Sequence, residues 1–285
     1  MKNIENEIYT EERALYGLRD ACLTECMFVP AMGVSYEEQG ESALKESRGV
    51  RMTRCRFLLR YPLWHAREFV AEHCVFDETS RASVWYAEDG LLSYCRIQSV
   101  KALRECRRVR LQGVIAHSEE FGWRCHDVTV EDSFLSSDYL FFQASNLTLD
   151  DLQMQGKYSF QYVENARVIG GTFDTKDAFW HSKNVTVEDA ELSGAYLGWY
   201  SENLTLIRCK IKGTQPFCYC KNLVLRDCTM TDCDLAFEYS SVQAEVNGYI
   251  DSVKNPLCGT IVADGIGEVI TDHAVKKCNA TVRIR

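Results

Sequence analysis

The sequence predicts an all-β parallel β-helix, on three observations. Asparagine returns every nineteen residues, at Asn146, Asn165, Asn184, Asn203 and Asn222. Four of these open the same motif: Asn146-Leu147-Thr148-Leu149, Asn184-Val185-Thr186-Val187, Asn203-Leu204-Thr205-Leu206 and Asn222-Leu223-Val224-Leu225. The repeat carries no helical period and leaves no room for a helix. A fixed period of this size marks stacked copies of one small unit that cannot bury its apolar face alone. The expected unit is one turn of a single-stranded coil with three short strands. Roughly twelve such rungs would fill the chain at this period.

With asparagine as position one, positions two and four are apolar, as in Val109 and Leu111, Val128 and Val130, or Val185 and Val187. They share one face because side chains alternate along a strand. Positions seven and nine repeat the pattern, with Cys55 and Phe57, Cys74 and Phe76, Leu152 and Met154, and Cys209 and Ile211. Turn-like pairs separate the two strands: Asp150-Asp151, Glu188-Asp189 and Arg226-Asp227. A third, aromatic-rich strand follows, as in Tyr139-Leu140-Phe141-Phe142 and Ala178-Phe179-Trp180-His181. The step from Cys74 to Cys95 is two residues longer than the rest, which predicts a loop insertion near Glu78–Ala82. Residues 1–48 read as N-terminal rungs and a cap, with an irregular stretch from Pro30 to Gly40. Residues 49–240 read as regular rungs, and 241–285 as a C-terminal cap, all in one domain spanning 1–285.

The 285 residues carry a formal net charge of −9, which argues against nucleic acid as a partner, since phosphate binding needs a basic face. No apolar run approaches the ~20 residues of a membrane-spanning helix. The N-terminus Met1-Lys2-Asn3-Ile4-Glu5 lacks the apolar core of a signal peptide, so the expectation is a cytoplasmic protein. The fourteen cysteines fit that setting because many are in phase with the repeat. Cys55, Cys74, Cys95, Cys209 and Cys228 share position seven and read as buried thiols stacked one per rung. No Cys-x-x-Cys pair occurs, so neither a zinc site nor any other cofactor is expected.

Chemistry is sought on the third strand. Positions fifteen and sixteen are both aromatic, including Phe160 and Phe179 in one and Trp180 and Trp199 in the other. Adjacent strand residues face opposite ways, so one column should be exposed unless a bend turns both inward. The sequence does not say which. Position seventeen, with Tyr162, His181, Tyr200 and Tyr219, reads as surface, and position thirteen adds Tyr158, Asp177 and Tyr196. Tyr158, Phe160, Phe179, Tyr196 and Tyr219 are thus candidate substrate-binding residues on a face where sugar rings could stack. A ring ladder that serves stability alone, or an interface between copies of the chain, accounts for the same pattern. His181, with Asp177 on its own strand and Tyr162 and Tyr200 on neighbouring rungs, is the candidate acid–base group. Asp132 and Asp151 at turn position six are candidate calcium ligands, although aspartate is also a common turn former.

The segments Glu12-Arg13-Ala14-Leu15-Tyr16-Gly17, Arg60-Tyr61-Pro62-Leu63-Trp64-His65, Tyr196-Leu197-Gly198-Trp199 and Ala236-Phe237-Glu238-Tyr239-Ser240 resemble a bacterial family catalogued as domain of unknown function 3737. The rung pattern resembles the pectin-lyase-like superfamily. The resemblance covers nearly the whole chain and implies a right-handed coil and a bacterial source. It transfers no activity and no catalytic residue. Two functions remain open: a carbohydrate-interacting protein, binding or processing an oligosaccharide, and a non-catalytic scaffold or homo-oligomer joined through the aromatic stripe.

Overall fold

A computed structural model describes residues 1–35 and 37–285. Tyr36, inside the irregular stretch expected from Pro30 to Gly40, lies outside the described residues. The chain forms two compact units, Met1–Phe141 and Phe142–Arg285. Each is a right-handed parallel β-helix with almost no helical structure. No helix among the described residues is long and apolar enough to cross a membrane.

In the first unit, strands such as Arg67–Glu72, Glu88–Ser93, Arg107–Gln112 and His126–Glu131 pair in parallel, one per turn. Val109 stands beside Val128 and Leu111 beside Val130, and all four are buried. A second column runs through Met27–Phe28, Arg56–Phe57, Val75–Phe76, Arg96–Gln98 and Ile115–His117. Its position-nine rings form a buried stack, with Phe28 and Phe57 at 4.9 Å and Phe57 and Phe76 at 4.8 Å between centroids. The position-seven cysteines stack beside them. Cys55, Cys74 and Cys95 are buried, and each thiol donates to the carbonyl two residues earlier, on Thr53, Glu72 and Ser93. All fourteen cysteines are free thiols.

In the second unit, Ser145–Asp150, Glu164–Ile169, Lys183–Glu188 and Glu202–Ile207 continue the same arrangement. The structure explains the asparagines here. All five take left-handed backbone, with φ between 55° and 60°. Asparagine adopts that conformation more readily than most residues with a Cβ. Four of the side-chain amides also donate to the amide oxygen one turn earlier: Asn165 to Asn146, Asn184 to Asn165, Asn203 to Asn184 and Asn222 to Asn203, at 2.8 to 3.3 Å. The period therefore records a corner that needs φ > 0 and a hydrogen-bond ladder that only a matched amide can continue.

Two expectations change. The described residues supply fifteen first-column strands, seven in the first unit and eight in the second, so there are about fifteen turns rather than twelve. The additional turns include Lys2–Glu5 at the start and the long strands Ser241–Lys254 and Cys258–Ile270, which pair in parallel. These last strands carry no asparagine corner, so no period marks them. The third side also differs from the expected strand. Among the described residues it forms paired strands where Leu63–Trp64 meets Val84–Trp85 and where Glu120–Phe121 meets Tyr139–Leu140, with isolated parallel bridges from Glu41 to Arg60 and from Trp85 to Arg104. In the second unit it is a run of turns, with φ of 48°, 60° and 57° at Tyr158, Phe160 and Tyr162. Ser182 N donates to Phe179 O at 3.0 Å, and Ser201 N to Gly198 O at 3.1 Å, closing four-residue turns.

Candidate functional site

Those turns remove the alternation on which an exposed stripe at position fifteen or sixteen depended. Phe160, Phe179 and Phe217 are fully buried, while Trp180 and Trp199 beside them are half-buried. Position fifteen turns inward, and most of position sixteen stays half-buried at the surface. Phe160 and Phe179 are therefore core residues, stacked at 5.0 Å, and cannot contact a substrate as they stand. Position seventeen falls on the left-handed residue of the turn, which projects its side chain outward.

There the structure builds a continuous ladder from four predicted residues. Tyr162 stacks on His181 at 5.2 Å, His181 on Tyr200 at 4.9 Å, and Tyr200 on Tyr219 at 4.8 Å. The interplanar angles are 6°, 9° and 10°, so the rings lie face to face. A sugar stacks on the face of an aromatic ring, and these inner faces are already covered by one another. The ladder offers solvent mainly its edges. Tyr158 and Tyr196 are half-buried on the neighbouring column. Lys176 Nζ sits 5.3 Å from the Tyr158 ring centre, and Trp199 packs edge-on against Tyr196 at 5.3 Å.

His181 and Asp177 do not form a hydrogen bond or ion pair with each other among the described contacts. Burial pushes the His181 imidazole below its usual range. Burial likewise raises the Asp177 carboxyl, against the pull of Lys176 at 3.8 Å. For His181 the folded chain holds the neutral ring in preference to the charged one. The unfolded chain therefore takes up the proton first as pH falls. Stability contributed by the neutral ring is present above the ordinary imidazole pKa of about 6.5 and declines as pH drops below it. His181→Phe keeps the stack and removes that decline. Thermal melts between pH 7.5 and 5.5 are expected to show the wild type losing Tm relative to His181→Phe toward the acid end; a constant offset would contradict this account.

The calcium expectation at Asp132 and Asp151 is not met. Each is an exposed corner residue with φ of 47°, one in each unit. Among the described residues no group of three or more His, Cys, Asp or Glu side chains is placed to hold a metal ion. Calcium needs six to eight oxygen ligands, which a single corner carboxylate does not supply.

A recess that the repeat did not point to lies in the first unit. The two extra residues between Cys74 and Cys95 form a short 3-10 turn at Glu78–Ser80. Thr79 Oγ1 donates to Leu58 O at 2.5 Å, and the Ser80 and Ser83 hydroxyls meet at 2.8 Å, which pins the loop. Next to it runs a furrow of about 310 Å³ lined by Glu78, Gln98, His117, Glu119, Ser136 and Asp138, among others. Gln98, His117 and Ser136 stand in register on successive second-column strands. The buried serines Ser99, Ser118 and Ser137 also line it. Their hydroxyls donate to Arg81 O, Val100 O and Glu119 O at 2.6, 3.1 and 3.1 Å, fixing each turn against its neighbour. Gln98 and His117 also line an adjoining depression of about 300 Å³ with the apolar Val75, Phe76, Ile97 and Ile115 and the charged Asp77 and Arg96. The site thus joins carboxylates, an imidazole, a carboxamide and hydroxyls to an apolar strip. It can bond a polyhydroxylated ligand and, at His117 and Glu119, accept or give protons. The departure from the nineteen-residue period was the one sequence signal for it.

No curated protein matches the chain. Solved structures to which it is similar include the A-module of the mannuronan C-5 epimerase AlgE6 from Azotobacter vinelandii, at 10% identity, TM-score 0.49, covering 94% of this chain and 90% of that one. The Streptococcus pneumoniae surface protein and adhesin PfbA is 8% identical, with TM-score 0.39 and coverage of 94% and 89%. The catalytic domain of a GH87 α-1,3-glucanase, solved with nigerose, is 9% identical, with TM-score 0.30, covering 99% of this chain and 63% of that domain. The model of a family described as "Protein of unknown function (DUF3737)" matches residues 2–284, and the chain belongs to that family.

Proposed function

We propose that the chain binds an oligosaccharide in the furrow beside Glu78–Ser80. The observation that carries this reading is the lining itself. Sugar rings present hydroxyls around the rim and C–H groups on the faces. The furrow supplies Glu78, Gln98, His117, Glu119 and Asp138 for the hydroxyls. The adjoining depression supplies Ile115, which is 43% exposed, for the C–H faces. The parallel stacking of turns repeats these groups at about 4.8 Å intervals, a spacing that suits an extended chain ligand. A glycan-array screen followed by calorimetry tests the reading. Glu119→Gln, which keeps the shape and removes the charge, is expected to weaken the best glycan about tenfold, or about 1.4 kcal/mol. Equal binding by the variant, or no glycan bound at all, contradicts it.

A second reading is favoured by one observation. Tyr162 and Tyr200 are each 41% exposed at the rim of the ring ladder, and outward aromatic edges suit a contact with another copy of the chain. Under that reading light scattering on the wild type gives a dimer and on Tyr200→Ala a monomer. A wild-type monomer at all concentrations rules it out.

A further inference from the structure

The Glu78–Ser80 loop has a second side. Beyond it, Tyr61, Arg81, Ala82, Trp85, Lys101 and Arg104 enclose a pocket of about 140 Å³. Arg81 closes the loop in left-handed backbone at φ 56°. Its carbonyl accepts both the Ser99 hydroxyl at 2.6 Å, from the furrow side, and the Lys101 amide at 2.8 Å, from the pocket side. The loop that walls the furrow therefore also holds Arg81 in place.

The pocket has an aromatic wall and a cationic one. Trp85 packs on Trp64 at 5.4 Å and against Tyr61 at 5.6 Å, which holds the aromatic wall in place. The Trp85 indole Nε1–H is buried with no hydrogen-bond partner. Arg104 pairs with Glu120 at 2.8 Å and with Glu105 at 3.6 Å, and Lys101 pairs with Glu120 at 3.5 Å. Three cations thus face two carboxylates. Arg81 has no ion pair among the described residues, which leaves one positive charge uncompensated at the mouth.

We propose that this pocket binds a six-membered ring carrying one carboxylate, with the carboxylate on Arg81 and Lys101 and the ring against Tyr61 and Trp85. The size fits, since a cavity of roughly 150 Å³ admits a single six-membered ring. The charge fits a monoanion better than a dianion. The guanidinium of Arg81 matches a carboxylate with two parallel N–H donors. A sugar acid and an aromatic acid share this chemistry, and the pocket's function does not depend on the saccharide reading of the furrow.

The test is a titration of the whole chain with glucuronate, benzoate, glucose and inorganic phosphate, followed by calorimetry and by the indole N–H resonance that Trp85→Phe removes. At least one carboxylate is expected to bind about tenfold more tightly than glucose and phosphate and to shift that resonance. Glucuronate alone identifies a sugar acid, and benzoate alone an aromatic acid. Arg81→Ala, at an exposed position, is expected to abolish the preference, and Lys101→Met to reduce it. His117→Ala in the furrow should leave it unchanged, so failure of the furrow reading does not affect this result. Phosphate bound best, no carboxylate bound more tightly than glucose, or full binding by folded Arg81→Ala and Lys101→Met overturns the proposal.

Discussion

Phe57→Ala is expected to destabilise the first unit by about 3–5 kcal/mol, the usual cost of emptying a buried aromatic site. Phe57 is fully buried between Phe28 and Phe76, with interplanar angles of 6° and 10° to its two neighbours. Each such pair adds about 0.5–1.5 kcal/mol beyond area burial, and the substitution breaks both at once. The cavity cannot collapse easily, because the rungs on either side are held apart by backbone ladders at Arg56 and Phe57. Urea unfolding followed by circular dichroism measures the effect. A shift worth less than about 1 kcal/mol would show that the second-column ring stack is not a principal source of stability. In a solenoid each turn answers chiefly to its neighbours, so the loss should be concentrated in the turns around Phe57.

Gly194→Ala is expected to cost about 3 kcal/mol or more in the second unit, with no cavity involved. Gly194 has φ of 142°, a region that is in practice reserved for glycine. An added Cβ would also overlap the carbonyl oxygen of Thr175 one turn earlier. That oxygen belongs to backbone, not to a flexible side chain, so neither partner can step aside. Gly194 N meanwhile donates to Lys212 O at 2.9 Å, which ties the residue to the following turn. Gly213, one turn on, repeats the arrangement against Gly194 O. A variant that expresses and melts like wild type would contradict the backbone geometry at this edge of the coil.

The coil was legible because its apolar positions repeat in fixed phase and because asparagine at the corner is doubly specified, by φ and by its amide ladder. The buried thiols were legible for the same reason, since Cys55, Cys74 and Cys95 occupy one position of the repeat. The third side was not. Its reading rested on strand alternation, and positive φ at Tyr158, Phe160 and Tyr162 breaks alternation without leaving a glycine or proline to announce it. That misplaced Phe160 and Phe179 on the surface. The ladder of Tyr162, His181, Tyr200 and Tyr219 was legible as a surface column, and rings stacked rung upon rung were one of its readings. The furrow was the least legible part. His117, Glu119 and Asp138 sit at positions that look like ordinary solvated surface, and only the extra residues near Glu78 bring a wall beside them.

We propose that ligand recognition belongs to the furrow and not to the ring ladder. The most direct measurement is a calorimetric titration of the best array glycan into wild type, His117→Ala/Glu119→Gln and Tyr162→Ala/Tyr200→Ala. The account predicts that the furrow variant binds about a hundredfold more weakly while the ladder variant stays within about twofold of wild type. Loss of binding in the ladder variant, with the furrow variant unimpaired, would contradict it.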